Sequence, residues 1–269
     1  DVEPDASAPD TDVELDAASP DALAVDAAVT LTSTVSFMPG VGSLCGIGVD
    51  PIDDRVWVYP CSGATLHAFT PAGVADGTLA RPGEAANDVD VAFAPEAATI
   101  GAASVAAGDM LFVNGETGVA EVHLPETTAA TALVTTFGAS HVVGGGYHPG
   151  RDTLFLVQDR VPVTGGNTIA EVDRVTGSVI TSFSTLPAFD VNYGDLEVCA
   201  TTGHLFLVSD VEATIAELSP TGALIAEHAL PAAVMAPSGI ALTHDGAAWI
   251  AGTGGGVWRV DGVPCAPAL

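Results

Sequence analysis

Asp90 and Asp195 open two similar apolar phrases, DVAFAP and DLEV, and Glu197 follows two residues on along the same face of the second. Carboxylates that converge in this way supply hard oxygen donors for calcium, which takes about six to eight of them. Without a cation they raise one another's pKa. Asn192 and Tyr193, just ahead of Asp195, add an amide and an aromatic ring. Asp90, Asp195, Glu197, Asn192 and Tyr193 therefore form a candidate ligand-binding set, and the three acids form a candidate calcium site. Among seven scattered His, His141 is the candidate base, because it stands just ahead of a third such phrase, GGGYHP. No G-x-S-x-G elbow or H-E-x-x-H pair occurs, and the glycine runs 144–146 and 254–256 lack the Lys of a phosphate loop. A lactonase-type site needs calcium plus a His or carboxylate base, and both residue types are at hand. A glycosidase needs paired carboxylates with aromatic platforms, and Tyr193 is the one aromatic in place.

The elements that must hold these residues repeat five times. Each unit is an apolar strand, a turn, and a second strand of the form apolar–aromatic–apolar, as in GGGYHPGRDTLFLV. The units begin at Gly46, Asp90, Gly144, Asp195 and Gly239, separated by 44, 54, 51 and 44 residues. That period, with several short strands per unit, predicts an all-β fold, a β-propeller of five four-stranded blades. Innermost strands begin at one mouth of a central channel, which places the five starting residues in a ring. Asp90 and Asp195, two blades apart, are expected on the order of 10 Å from each other, a sheet-layer spacing. Trp57, Phe112, Phe155, Phe206 and Trp249 recur on the second strands and read as inter-blade core. His148 and His244 fall after first strands and read as turn residues, and 96–108 and 160–168 read as long loops. The fifth unit reaches the C-terminus with three strands, whereas LTSTVSFMP (31–39) has no nearby partner. Pairing the two closes the ring and leaves no open sheet edge.

Residues 1–30 hold nine acids, no base and no aromatic, and read as an acidic Asp/Ala/Pro-rich tether ahead of a single domain over 31–269. Asp10, Asp12, Glu14 and Asp16 alternate there, but the loop lacks the Gly and Glu of an EF-hand. The formal net charge is −28, with six Arg and no Lys, so no phosphate-neutralising face can form and nucleic acid is excluded as a partner. No apolar run is long enough to span a membrane as a helix. Four Cys allow three pairings. A hairpin turning at 51–54 pairs residues whose numbers sum to about 105 or 106, which sets Cys45 opposite Cys61 and leaves Cys199 for Cys265. Two disulfides imply an oxidising compartment. The expected location is therefore periplasmic, cell-surface or extracellular in a bacterium, with a lipid anchor upstream of Asp1 as one form of attachment.

The strings YGDLEVCATTGHLFLVSD (193–210) and PSGIALTHDGAAWIAG (237–252) resemble NHL-type, YncE-like and SdiA-regulated-type propeller repeats. The resemblance covers about 44–262. It implies a propeller of a kind that includes ligand-binding and protein-binding modules as well as lactonase-type hydrolases. Such relatives mostly have more blades, so a count of five departs from them. A complete fold signal beside an incomplete catalytic constellation points first to an exported, non-enzymatic propeller that binds a ligand or protein partner through one face. The alternative is a calcium-dependent hydrolase of a lactone, ester or glycoside at the channel mouth.

Overall fold

The structure, a computed structural model, describes residues 28–61, 63–83, 87–116, 118–125, 131–138, 141–160 and 167–265. Residues 1–27 of the expected 1–30 tether and most of the 160–168 segment lie outside the described residues. The chain opens with strand β1 (Thr32–Phe37). Blade one follows as β2 (Leu44–Val49), β3 (Val56–Pro60), β4 (Thr65–Phe69) and β5 (Ala75–Ala80). Blade two is β6 (Val89–Phe93), then a small hairpin β7 (Ala98–Ile100) and β8 (Ala103–Val105), then β9 (Met110–Asn114), β10 (Glu121–His123) and β11 (Thr131–Val134). Blade three is β12 (Val142–His148), β13 (Thr153–Gln158), β14 (Thr168–Asp173) and β15 (Val179–Ser184). Blade four is β16 (Asp195–Val198), β17 (Leu205–Val208), β18 (Thr214–Leu218) and β19 (Leu224–Ala229). Blade five is β20 (Pro237–Leu242), β21 (Ala247–Gly252) and β22 (Val257–Asp261), completed by β1. This is a five-bladed β-propeller of antiparallel four-stranded sheets, as the repeat predicts.

Closure is by the N-terminal strand. β1 runs antiparallel to β22 with Ser33 opposite Val260 and Phe37 opposite Val257, so blade five has no open outer edge at β22. The inner strands form a ring in which β2 packs on β6 and β20, and β12 packs on β6 and β16. They are short continuous apolar runs bounded by turns, and β12 is buried along its whole length, as expected for strands covered on both faces. The outer strands β5 and β15 are mostly exposed and carry polar residues. The repeated aromatics occupy the space between blades: Phe112, Phe155, Phe206 and Trp249 are almost fully buried and Trp57 nearly so. Each stabilises the fold by roughly 1.5–3 kcal/mol through burial alone.

Both disulfides form, with Cα–Cα separations of 5.0 Å for Cys45–Cys61 and 5.6 Å for Cys199–Cys265. The register of β2 and β3 shifts between Leu44 and Gly46, so Cys45 sits in a bulge that turns it toward Cys61. Two expectations need correction. The 96–108 segment is not a plain loop; its β7–β8 hairpin buries Ile100 and Val105 in the core between blades two and three. His148 is not a turn residue; it ends β12, buried, with its ring 5.6 Å from that of Phe155.

Candidate functional site

The five starting residues lie at one level of the channel. Gly46, Asp90, Gly144, Asp195 and Gly239 each face the equivalent residue of the second strand: Tyr59, Val113, Val157, Val208 and Ala251. Blades one, three and five supply glycine and carry a register shift just before it; blades two and four supply aspartate and do not. The glycines let the neighbouring strands close in. A Cβ on Gly144 would lie 1.9 Å from Asp195 Oδ1, so no other residue fits there without displacement. The channel is consequently narrow, and the two carboxyls fill it.

Asp90 and Asp195 are hydrogen-bonded to each other rather than about 10 Å apart. The rest of their capacity goes to backbone amides. Asp90 accepts from its neighbour Val91 at 2.6 Å, from Gly145 of blade three at 3.3 Å, and from Ile47 of blade one. Asp195 accepts from Leu196 at 2.6 Å and from Ile240 of blade five at 2.8 Å. Both are buried. Burial pushes the Asp90 carboxyl up to about 7 against the lowering effect of the Val91 and Gly145 amides. It pushes Asp195 well above the ordinary range, with the charge of Asp90 adding to it. Burial and their mutual repulsion both favour a proton held on the pair. They form a neck between two mouths and are not at a mouth themselves.

This placement bears on the calcium expectation. Calcium wants free oxygen donors, and these carboxylates are turned onto N–H groups. Among the described residues, no group of three or more His, Cys, Asp or Glu side chains is arranged to hold a metal ion.

Above the neck, where the inner strands begin, lies a cavity of about 400 Å³ whose wall includes Asn87, Asp88, Tyr193, Asp210 and Ser238. Tyr193 is 45% exposed and His141 stands beside the cavity, not in its wall. Three residues leading into inner strands hold left-handed backbone: His141 at φ 59°, Tyr193 at φ 43° and Ala236 at φ 47°. Each such residue costs on the order of 1 kcal/mol or more and persists only where its surroundings fix it. Buried Asp159 fixes two of them, since its N–H donates to the His141 carbonyl at 3.0 Å and its Oδ2 accepts from Tyr193 N–H at 3.2 Å. His141 Nδ1 lies 2.6 Å from Asp88 Oδ2. Burial raises Asp88 to about 7, offset by His141 and reinforced by the nearby charges of Asp159 and Glu116. Asn192 Nδ2 donates to Asp210 at 2.7 Å.

Below the neck lies a second cavity, of about 360 Å³. Glu197 opens here, not with Asn192 and Tyr193 above, because two strand residues advance it roughly 6–7 Å along the channel. The predicted set is thus divided: Asp90 and Asp195 in the neck, Asn192, Tyr193 and His141 above, Glu197 below.

Sequence reasoning missed Glu116, Asp159 and Asp210, which surround the upper mouth. A signal existed: in blades two, three and four an acid follows the second strand by one or two residues.

No protein-family model and no curated protein sequence matches the chain. Among solved structures, it is similar to Myxococcus xanthus glutaminyl cyclase, at 12% identity and TM-score 0.59, covering 86% of this chain and 95% of that one. A gluconolactonase from Xanthomonas campestris matches at 16% identity and TM-score 0.51, over 81% of this chain and 71% of that one. A streptogramin B lyase matches at 14% identity and TM-score 0.47; 81% of this chain aligns, spanning 64% of the lyase, less than two thirds of its length. At these identities the likeness concerns the propeller fold.

Proposed function

We propose that the protein is an exported binding propeller that holds a cationic group of a ligand or protein partner in its upper mouth. The observation that carries this reading is the upper cavity, with Asp88 and Asp210 in its wall, no Arg among the residues that line it, and rim residues held in costly backbone. The propeller repeats of the NHL and related types fit the same reading, and the two disulfides are compatible with export. Calorimetric titration with argininamide and a short Arg/Lys peptide tests it. Tyr193→Ala together with Asp210→Asn should weaken binding about tenfold or more, as loss of charged hydrogen bonds does. Failure of both probes to bind, or binding that survives the double substitution, overturns it.

A second reading rests on the His141–Asp88 pair. His141 Nδ1 and the buried Asp88 carboxylate lie 2.6 Å apart, a charge contact that lacks hydrogen-bond alignment but pairs a base with a carboxylate, and this fits hydrolysis of a lactone or ester. No step of this reading runs through calcium. Assay of lactones and aryl esters against His141→Ala decides it: turnover that is absent from the parent, or unchanged in the variant, removes it.

A further inference from the structure

Two residues below the neck level, four blades place Gly48, Ala92, Gly146 and Ala241, and blade four alone places a long side chain, Glu197. One residue further on, every blade contributes one wall residue of the lower cavity: Val49, Phe93, Tyr147, Val198 and Leu242. The cavity is thus a mostly apolar five-sided cup with one carboxyl at its base and Thr201, Thr243 and His244 as further polar residues in its wall, and its volume of about 360 Å³ is at the small end of ligand sites. Glu197 Oε1 accepts the Val198 N–H at 3.1 Å. No cationic side chain is among the groups that set its charge state; burial is the larger influence and the charge of Asp90 adds to it, both disfavouring the ionised form. Tyr147 gives its hydroxyl to Asp152 at 2.7 Å and so offers the cup its ring rather than a donor.

We propose that the lower cavity is a second binding site, for a hydrophobic amine whose ammonium pairs with Glu197 and whose apolar body lies in the five-sided cup. The ammonium supplies the countercharge that the protein does not, through a charge-assisted hydrogen bond at the base of the cup. The aromatic rings of Phe93 and Tyr147 in the wall suit a cation as well as an apolar body. Negatively charged ligands are rejected by the acids stacked behind Glu197. This site is independent of the reading of the upper mouth and stands or falls separately.

Calorimetry of the full chain at neutral pH, with 3-phenylpropylamine and its neutral counterpart 3-phenylpropan-1-ol, tests the proposal. The amine should bind about tenfold or more tighter than the alcohol. Titrations in buffers of different ionisation enthalpy should show proton release as Glu197 ionises to meet the ammonium. Glu197→Gln, close in shape to the protonated acid, should lose both the preference for amine and the proton release. Ala200→Trp, a surface change at an exposed wall residue, should block the amine with Glu197 intact. The proposal is overturned if the amine does not bind the parent protein, if the alcohol binds as well, or if the amine binds either variant unchanged.

Discussion

Replacing Asp90 by asparagine should flatten the dependence of stability on pH. In the folded protein the Asp90 carboxyl is held up to about 7, against an ordinary value of 3.8. A group raised on folding favours the protonated state, so its contribution is complete below about pH 4 and is lost as pH rises through about 7. About three pKa steps at roughly 1.4 kcal/mol each give on the order of 4 kcal/mol, rather more than half of it lost between pH 5 and 8. Asp195 and Glu197 shift in the same direction and add to the loss. At roughly 2–4 °C per kcal/mol for a domain of this size, the melting temperature should fall by about 5–10 °C across that interval. Asparagine keeps an acceptor for the amides and a donor for Asp195 but does not titrate in this range. Differential scanning calorimetry from pH 5 to 8 compares the two proteins, and the difference between them isolates Asp90. Equal slopes in parent and Asp90→Asn would refute the account of the neck.

Other outcomes follow from the same structure. Removing residues 1–28 should leave melting nearly unchanged, whereas removing 1–40 takes away β1, opens the edge of β22 and should cost most of the stability; equal melting of the two truncations sinks closure by β1. Mass mapping of unreduced peptides should recover Cys45–Cys61 and Cys199–Cys265. Separate Cys→Ser pairs should cost about 3 kcal/mol for the bridge spanning 16 residues and about 4 for the one spanning 66, with loop entropy setting the order. Gly144→Ala drives a methyl into Asp195 and should cost about 1–3 kcal/mol or more. Gly146→Ala, whose methyl meets the Glu197 carboxyl tip at 3.1 Å and the Val198 side chain at 3.3 Å, should cost less, and urea melts rank the two.

The fold was legible because the repeat is written in apolar strands and turns, and a strand without a partner at each end implied the closure. Pairing arithmetic found the cysteines, although the bulge at Cys45 was not foreseen. The site was harder to read. That Asp90 and Asp195 occupy equivalent positions is visible in the sequence, but their separation depends on the glycines at 46, 144 and 239. A residue with no side chain sets no distance on its own; only its neighbour in the next blade shows how closely strands approach. The ring one step below, with Gly48, Ala92, Gly146 and Ala241 around Glu197, is equally visible once the blades are aligned, and marks Glu197 as belonging to the other cavity. Asp159 went unnoticed because its work is done on the backbones of His141 and Tyr193, where no side-chain motif records it.

Glycine and aspartate alternate around the neck, and five is odd. Strict alternation around an odd ring must fail once, and here glycine meets glycine between blades five and one. The carboxyls tie the other blades to one another: Asp90 reaches Ile47 in blade one and Gly145 in blade three, and Asp195 reaches Ile240 in blade five. At the mismatched boundary Ser238 of blade five donates its hydroxyl to the Leu44 carbonyl of blade one at 2.8 Å, and Ile47 lies against Gly239. Neither of these two contacts involves a titratable group. Alkaline conditions that set the two aspartates against each other leave them intact, so the ring loosens first away from the boundary where the first and last strands of the chain close it.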